Sequence, residues 1–271
     1  MKFTKTPRDL RSTREIELMR AAGQVVWEAH QAAAKKVKPG ATTREVDDAV
    51  AEVFRRAAAT PLFMNYPHPQ RGRPPFPAVT CISVNEEVVH GIPGDRVLKE
   101  GDIVSLDTGC RVDGWCGDAA VTHPVGQIAE PVRRLLDVTR GVLNLAIELM
   151  GQKSHWSDVA AEMQKYVADH RFTTVECFVG HGIGRKMHEE PQVPNFCTPQ
   201  FRRRHDFPLE PGLVIAVEPM VNMGSKNVRI YSDHWTQGAV DRLPSAHFEH
   251  TIAMTADGPT VLTDGKGRGK G

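Results

Sequence analysis

Leu98-Lys99-Glu100-Gly101-Asp102-Ile103-Val104-Ser105-Leu106-Asp107 and Leu209-Glu210-Pro211-Gly212-Leu213-Val214-Ile215-Ala216-Val217-Glu218 follow one plan. In each, a leucine and a glycine three residues later lead into an apolar strand. A carboxylate closes each run, nine residues after the leucine. A carboxylate directly after such a strand is at least partly buried, and a buried charge needs a partner. Chance likeness between two generic turn-and-strand units is the competing reading of this match alone. If the echo is real, the chain is built from two related halves, and Asp107 and Glu218 lie near a pseudo-twofold axis.

The surrounding segments repeat in kind. Residues 12 to 36 read as an amphipathic helix opened by a Ser12/Glu15 capping box, with Ile16, Met19, Val26 and Ala29 at helical spacing. Pro39-Gly40 ends it, and Thr42/Glu45 repeats the box before Val46, Val50, Val53 and Phe54. Residues 78 to 90 are β-rich. Strands follow at Ile103–Leu106 and Ala119–Val125, with Asp113-Gly114 as a hairpin turn between them. Helices return at Pro131–Met150 and Ser157–Asp169, then short apolar runs broken by Gly and Pro. The order is helices then strands, twice, which makes this an α+β chain. Residues 61 to 77 hold six prolines and two arginines. That is a long loop, and long loops in compact domains tend to be functional.

The bulk properties exclude several classes. The 271 residues suffice for a sizeable core. A formal net charge of +1 gives no global field toward nucleic acid or membrane. The basic runs Arg202–Arg204 and Lys266–Lys270 read as a solvated face and a frayed terminus. Five cysteines without a CxxC pair point to a reducing compartment. The N-terminus has no apolar signal core, and no run is long enough to span a bilayer. The expectation is a cytoplasmic protein folded as one domain over 1–271, with 1–11 and 264–271 as flexible ends.

Five residues are individually unusual. Asp107 and Asp118 flank the hairpin. A turn centred between residues 112 and 113 sets them directly opposite; one centred on Asp113-Gly114 makes them diagonal neighbours on one face. The register between these puts them on opposite faces. Like charges paired across strands destabilise a sheet unless cations lie between them. His181 sits in Gly180-His181-Gly182-Ile183-Gly184, where glycines allow close backbone approach and unusual φ/ψ. Glu218 ends a strand, and Glu249 precedes Ile252-Ala253-Met254. Oxygen-rich ligands with one imidazole suit Mn, Co, Fe or Zn better than a thiolate site. A single acid of the hairpin is more simply a solvated group, a reading that is weaker for Asp107 directly after its apolar strand, and each histidine alone is more simply a structural one. Spacing does not join them.

An ordered set of motifs does. Val88-Val89-His90-Gly91-Ile92-Pro93, Glu100 to Asp107, Gly117-Asp118-Ala119-Ala120, Gly180 to Gly184, His188-Glu189-Glu190-Pro191-Gln192-Val193, Val217-Glu218-Pro219-Met220 and Phe248-Glu249-His250-Thr251 resemble the type I methionine aminopeptidases. The resemblance runs from about Glu15 to Leu262. It implies the pita-bread fold of creatinases and aminopeptidases, two pseudo-twofold related α/β halves around a central dinuclear metal site. It also implies a monomeric catalytic domain that removes the initiator methionine from nascent polypeptides when the second residue is small, with the ribosome as a candidate partner.

By this resemblance Asp107, Asp118, His181, Glu218 and Glu249 hold two divalent ions (Co, Mn, Fe or Zn). Asp107 chelates one ion, Asp118 and Glu249 bridge, and His181 and Glu218 complete the other. A water acidified between the metals attacks the scissile carbonyl, and Glu218 shuttles its proton. His188 binds the scissile carbonyl oxygen and His90 orients the substrate. Tyr66, Phe76, Cys81, Met187 and Trp235 fall where the family builds its methionine pocket; plain core packing is the simpler account of them. The 65–77 loop is longer than the family's usual turn there. Two alternatives stand: a proline-specific aminopeptidase of the same fold, which carries an extra N-terminal domain, and a non-catalytic binding protein, which loses ligands.

Overall fold

The computed structural model describes residues 9–266. Helix α1 (Thr13–Ala34) and helix α2 (Thr43–Arg56) both start with the expected reciprocal caps: Ser12 with Glu15, and Thr42 with Glu45. Each cap satisfies amides that a helix start leaves unpaired. Helices α3 (Glu130–Met150) and α4 (Trp156–Asp169) open the second half, and a short α5 (Pro199–Arg204) carries the basic run.

The hairpin register decides between the alternatives left open above. Strands Ile103–Val112 and Trp115–Pro124 join at Asp113-Gly114, whose φ values are 49° and 79°. Two left-handed residues make the tight turn whose twist matches an antiparallel pair. Asp107 therefore faces Ala120, and Asp118 faces Gly109. The two acids are diagonal neighbours on one face.

The main sheet runs Thr60–Pro61, Ile103–Val112, Trp115–Pro124, Glu249–Thr255, Val214–Val217, Gly180–Gly182, Glu189–Val193. Its central seam joins the two halves through Glu249 opposite Ala120 and His250 opposite Ala119. Each half has its own core. Val26, Val50 and Phe54 of α1 and α2 pack on Ile82, Val104 and Leu106. Leu135, Val142, Trp156 and Met163 of α3 and α4 pack on Ile215, Val217 and Ile252. Two helix pairs on two halves of one sheet is the architecture the echo implied.

Arg11 corrects part of the expected flexible N-terminal end. Its amide donates to the Gly212 carbonyl at 2.7 Å, and its guanidinium pairs with Glu189 and lies over the Trp115 ring. A buried cation with a carboxylate and an aromatic face is held, not loose. Residues 1–8 and 267–271, which hold most of the rest of those ends, lie outside the described residues. Among the described residues no helix is long and apolar enough to cross a membrane.

Helix α1 crosses the sheet at backbone contact. A Cβ on Gly23 would sit 2.2 Å from the Leu262 carbonyl oxygen, and one on Gly117 would sit 2.8 Å from the Gly23 nitrogen. Gly23→Ala must therefore push α1 off the sheet. We expect a loss of about 1–3 kcal/mol in urea unfolding, the usual cost of overpacking. A variant as stable as the parent would show that the helix is not seated this closely.

Candidate metal centre

Sheet register brings the five unusual residues together. One cross-strand row reads Cys81, Asp107, Ala120, Glu249. The next row on the same face holds Gly109 opposite Asp118, then Thr251, Ala216 and His181. Thr251 ties the seam here: its hydroxyl accepts from the Asp118 amide and donates to the Asp118 carbonyl. Glu218 lies two residues beyond Ala216, just past its strand end. Side chains alternate faces along a strand, so these rows aim all five candidates the same way. Gly109 gives Asp118 its room, because a Cβ there would lie 2.8 Å from Asp118 Oδ1.

The carboxylates are buried and under-satisfied. Asp118 is 3% exposed and Glu249 2%. Ligand atoms of Asp118, His181 and Glu249 all lie within 4.8 Å of one another. Asp107 Oδ1, Asp118 Oδ1 and Glu249 Oε1 are buried without a hydrogen-bond partner. Burial raises the pKa of all four acids. Asp118 rises to about 7 by burial, and Asp107 rises well above the carboxylate range by burial, then by the Asp118 and Glu218 charges. Glu218 is raised by burial and Asp118, and Glu249 by burial and the other three acids. Like charges gathered in a dry site disfavour ionisation. Orphaned, converging carboxylate oxygens fit divalent cations.

His181 is prepared as a neutral ligand. Its Nδ1 lies 2.9 Å from the Gly182 carbonyl and donates to it. Nε2 is then a bare lone pair, 3.7 Å from Glu218 Oε1. Burial lowers its pKa to about 3, so the ring stays neutral. The flanking glycines serve close approach: a Cβ on Gly180 would fall 2.3 Å from the Ala216 oxygen, and one on Gly182 2.1 Å from the Glu190 oxygen. Gly180, Gly182 and Gly184 all keep negative-side φ values, so the unusual φ/ψ half of the sequence argument does not apply.

A cavity of about 520 Å³ opens from the carboxylates. Asp107, Asp118, His181, Glu218 and Glu249 line it together with His90, His188, Tyr66, Phe76, Cys81, Met187 and Trp235, so it gathers every site residue singled out above. Its apolar wall is formed by Phe63, Phe76, Cys81, Met187 and Trp235, which pack in one cluster. His188 Nδ1 meets the Tyr66 hydroxyl at 2.7 Å, and its ring stands edge-on to His181. His90, at φ 60°, stands edge-on to Phe178 and Trp235.

The Pro/Arg-rich loop closes on itself and clasps the cavity mouth. Asn65 and Phe76 bond across its base. His68 Nε2 donates to the His234 carbonyl, Arg73 donates to His234 Nε2 at 2.7 Å, and Trp235 Nε1 donates to the Pro74 carbonyl. The His68 ring rests edge-on against Trp235.

Phe63, Phe178 and His247 were not singled out from sequence. His247 lies two residues before Glu249, a spacing that places both on one face of an extended chain. Its Nε2 is 3.9 Å from Glu218 Oε2, and burial lowers its pKa to about 3.

The profile of metallopeptidase family M24 matches residues 17–256. Methionine aminopeptidase 1 of Bacillus subtilis is 42% identical over 253 residues, 93% of this chain and 98% of that protein. The crystal structure of methionine aminopeptidase from Thermotoga maritima superposes with a TM-score of 0.88 at 40% identity, covering 95% of this chain and 99% of that one. An Xaa-Pro dipeptidase from Bacillus anthracis superposes with a TM-score of 0.71 at 21% identity, over 95% of this chain and 62% of that one, a likeness of fold alone.

The raised acids set a pH dependence for metal binding. Below their raised pKa values the metal-free site holds protons that a cation must displace. The stabilisation gained on adding Mn(II) should therefore be small near pH 5 and grow as pH rises through about 7, the Asp118 value. Buried histidines outside the ligand set cancel in this difference between loaded and chelated protein. Melting curves of both forms across pH measure it. A metal-induced shift independent of pH would contradict the protonated, metal-free site.

Proposed function

The chain belongs to metallopeptidase family M24, and we propose that it is a methionine aminopeptidase removing the initiator methionine from nascent chains whose second residue is small. Its fold is the pita-bread fold. One observation carries the reading: four converging carboxylates, two of them fully buried, and a neutral histidine end in the same cavity as an apolar wall of Phe76, Cys81, Met187 and Trp235. The carboxylate end suits hydrolysis, and the wall suits an unbranched thioether side chain, which packs well against aromatic edges.

The charge balance supports two divalent ions. Asp107, Asp118, Glu218 and Glu249 carry four negative charges when ionised, and two divalent cations cancel them. Asp107, Asp118, Glu249, His181 and Glu218 would hold them: Asp118 and Glu249 are in the middle of the row pattern, with Asp107 on one side and His181 and Glu218 on the other. Bound there, the ions would supply charge compensation, a polarised scissile carbonyl and an acidified attacking water.

The chain's own groups do the rest. Glu218, at the edge of the cavity beside His181, takes the proton from the attacking water at a carboxylate oxygen and passes it to the leaving amine. His188 is oriented by Tyr66 through Nδ1, which leaves Nε2 to hydrogen-bond the scissile carbonyl oxygen as charge develops there. His90, held by Phe178 and Trp235, orients the reacting amide. The clasped loop covers the cavity mouth and limits the space beside the second residue. Such an enzyme acts in the cytoplasm, where nascent chains emerge.

Folded protein loaded with Mn(II), Co(II) or Fe(II) should release methionine from Met-Ala-Ser, and Met-Leu and Met-Lys peptides should be cut far more slowly. Cleavage of Ala-Pro in place of Met-Ala-Ser would select the proline-specific alternative, and no cleavage of either would select the binding protein. A second variant probes the mechanism. His188→Ala should lower kcat by roughly 100-fold or more, the scale of losing one carbonyl-oxygen donor. Metal content should stay at the parent level. Loss of metal in this variant would make His188 part of the metal site.

A further inference from the structure

Glu218 lies between two histidines that treat its oxygens differently. Oε1 is 3.7 Å from His181 Nε2, and Oε2 is 3.9 Å from His247 Nε2. His181 uses its proton on the Gly182 carbonyl, so its bare Nε2 and Oε1 face each other across a gap that suits a cation. His247 is placed otherwise. It is 1% exposed, and its Nε2 is buried with no hydrogen-bond partner. It does not join the Asp118, His181 and Glu249 cluster whose atoms converge within 4.8 Å. It does not line the cavity.

The strand Ser245–His247 is rigidly seated. Its residues pair with Met220–Asn222, the strand that directly follows Glu218-Pro219. Thr122 locks His247 from the other side, accepting from its amide and donating to its carbonyl, both at 2.8 Å. The Thr122 hydroxyl in turn meets Ser105 at 2.8 Å. A neutral imidazole held this firmly, with an orphaned nitrogen beside a carboxylate oxygen, lacks only a proton on that nitrogen to satisfy both groups. A buried polar atom left unpaired is destabilising, which favours that tautomer. The remaining 3.9 Å closes to a hydrogen bond with a small rotation of the Glu218 carboxylate.

We propose that His247 is a positioning residue that donates from Nε2 to Oε2 of Glu218, leaving Oε1 to face the metal beside His181. This rests on the proposed roles of Glu218. It gives the two oxygens separate duties: one is held by the protein, the other is directed at the metal. Neighbouring groups that orient metal-binding carboxylates tune both metal affinity and rate.

Two measurements test this, and the first needs no enzymatic activity. In protein labelled with 15N-histidine, with the His247 signal assigned by its loss in His247→Gln, the chemical shifts should report a neutral, Nε2-protonated ring. An Nδ1-protonated ring overturns the proposal. Kinetics of Co(II)-loaded enzyme with Met-Ala-Ser form the second test, beside calorimetric titration with Co(II). His247→Leu, matched in bulk but without a donor, should lose roughly 10- to 100-fold in kcat or in Co(II) affinity. KM should stay within about twofold, and the number of ions bound should not change. His247→Gln, whose amide can donate, should recover most of the loss. A folded Leu variant with parent kcat and affinity, or Gln no better than Leu, overturns the proposal. Loss of one bound ion does so too, by making His247 a ligand. An inactive parent enzyme would instead sink the aminopeptidase reading, while the tautomer measurement still decides the position of the proton.

Discussion

Four carboxylates meeting at a buried sheet seam is the constraint on which this structure depends. Asp107 and Asp118 come from one half, Glu218 and Glu249 from the other. Within the main sheet the seam between the halves is narrow, with strand pairing at Glu249–Ala120 and His250–Ala119; Glu87–Val89 and Gln237–Ala239 pair across the halves elsewhere. The acids sit at that seam, where their mutual repulsion works directly against the union of the halves. Without cations the protein relieves this by holding protons, as the raised pKa values of all four acids express. Bound cations would turn the same groups into a link between the halves.

Much of the local sequence serves this meeting. Ala120 and Ala216 keep the rows low between the acids, and Gly109 leaves space for Asp118. The glycines around His181 let its strand lie against the Ala216 and Glu190 carbonyls. Thr251 and Thr122, both fully buried, give hydroxyl cross-links where the backbone ladder is interrupted. The two helix pairs supply separate cores behind the sheet, so the seam can carry charge while hydrophobic burial on each side holds the halves. The apolar end of the cavity is built differently, from loops. Trp235 and Phe76 are brought together by the clasp of His68, Arg73 and Pro74 on the 234–235 turn. Chemistry thus sits on strands, which fix geometry, and side-chain selection sits on loops, which can vary.

Local signals in the sequence were strong where one element decides them. Both capping boxes appear as read, and Asp113-Gly114 makes the hairpin turn it promised. The same turn left the Asp107–Asp118 register open, because one residue of shift is invisible in composition and flips every side chain. The echo between Asp107 and Glu218 anticipated the two halves but not the pairing between them. Asp118 and Thr251 are 133 residues apart, and nothing in either segment announces the other. Motif order supplied that link through family resemblance. The proline-rich stretch was legible as a loop. Its clasp was not, because it depends on His234, which approaches from another segment. His247 was passed over because a histidine between Ala246 and Phe248 reads as core. Its two-residue offset from Glu249 was the available signal.

The most direct measurement of the central claim is anomalous diffraction from crystals soaked with Co(II) at pH 8. The account predicts two peaks about 3.5–4 Å apart in the cavity. One should touch Asp107, Asp118 and Glu249, and the other Asp118, Glu249, His181 and Glu218. A site with no peak, its carboxyls hydrogen-bonded to one another at full soak, would contradict it.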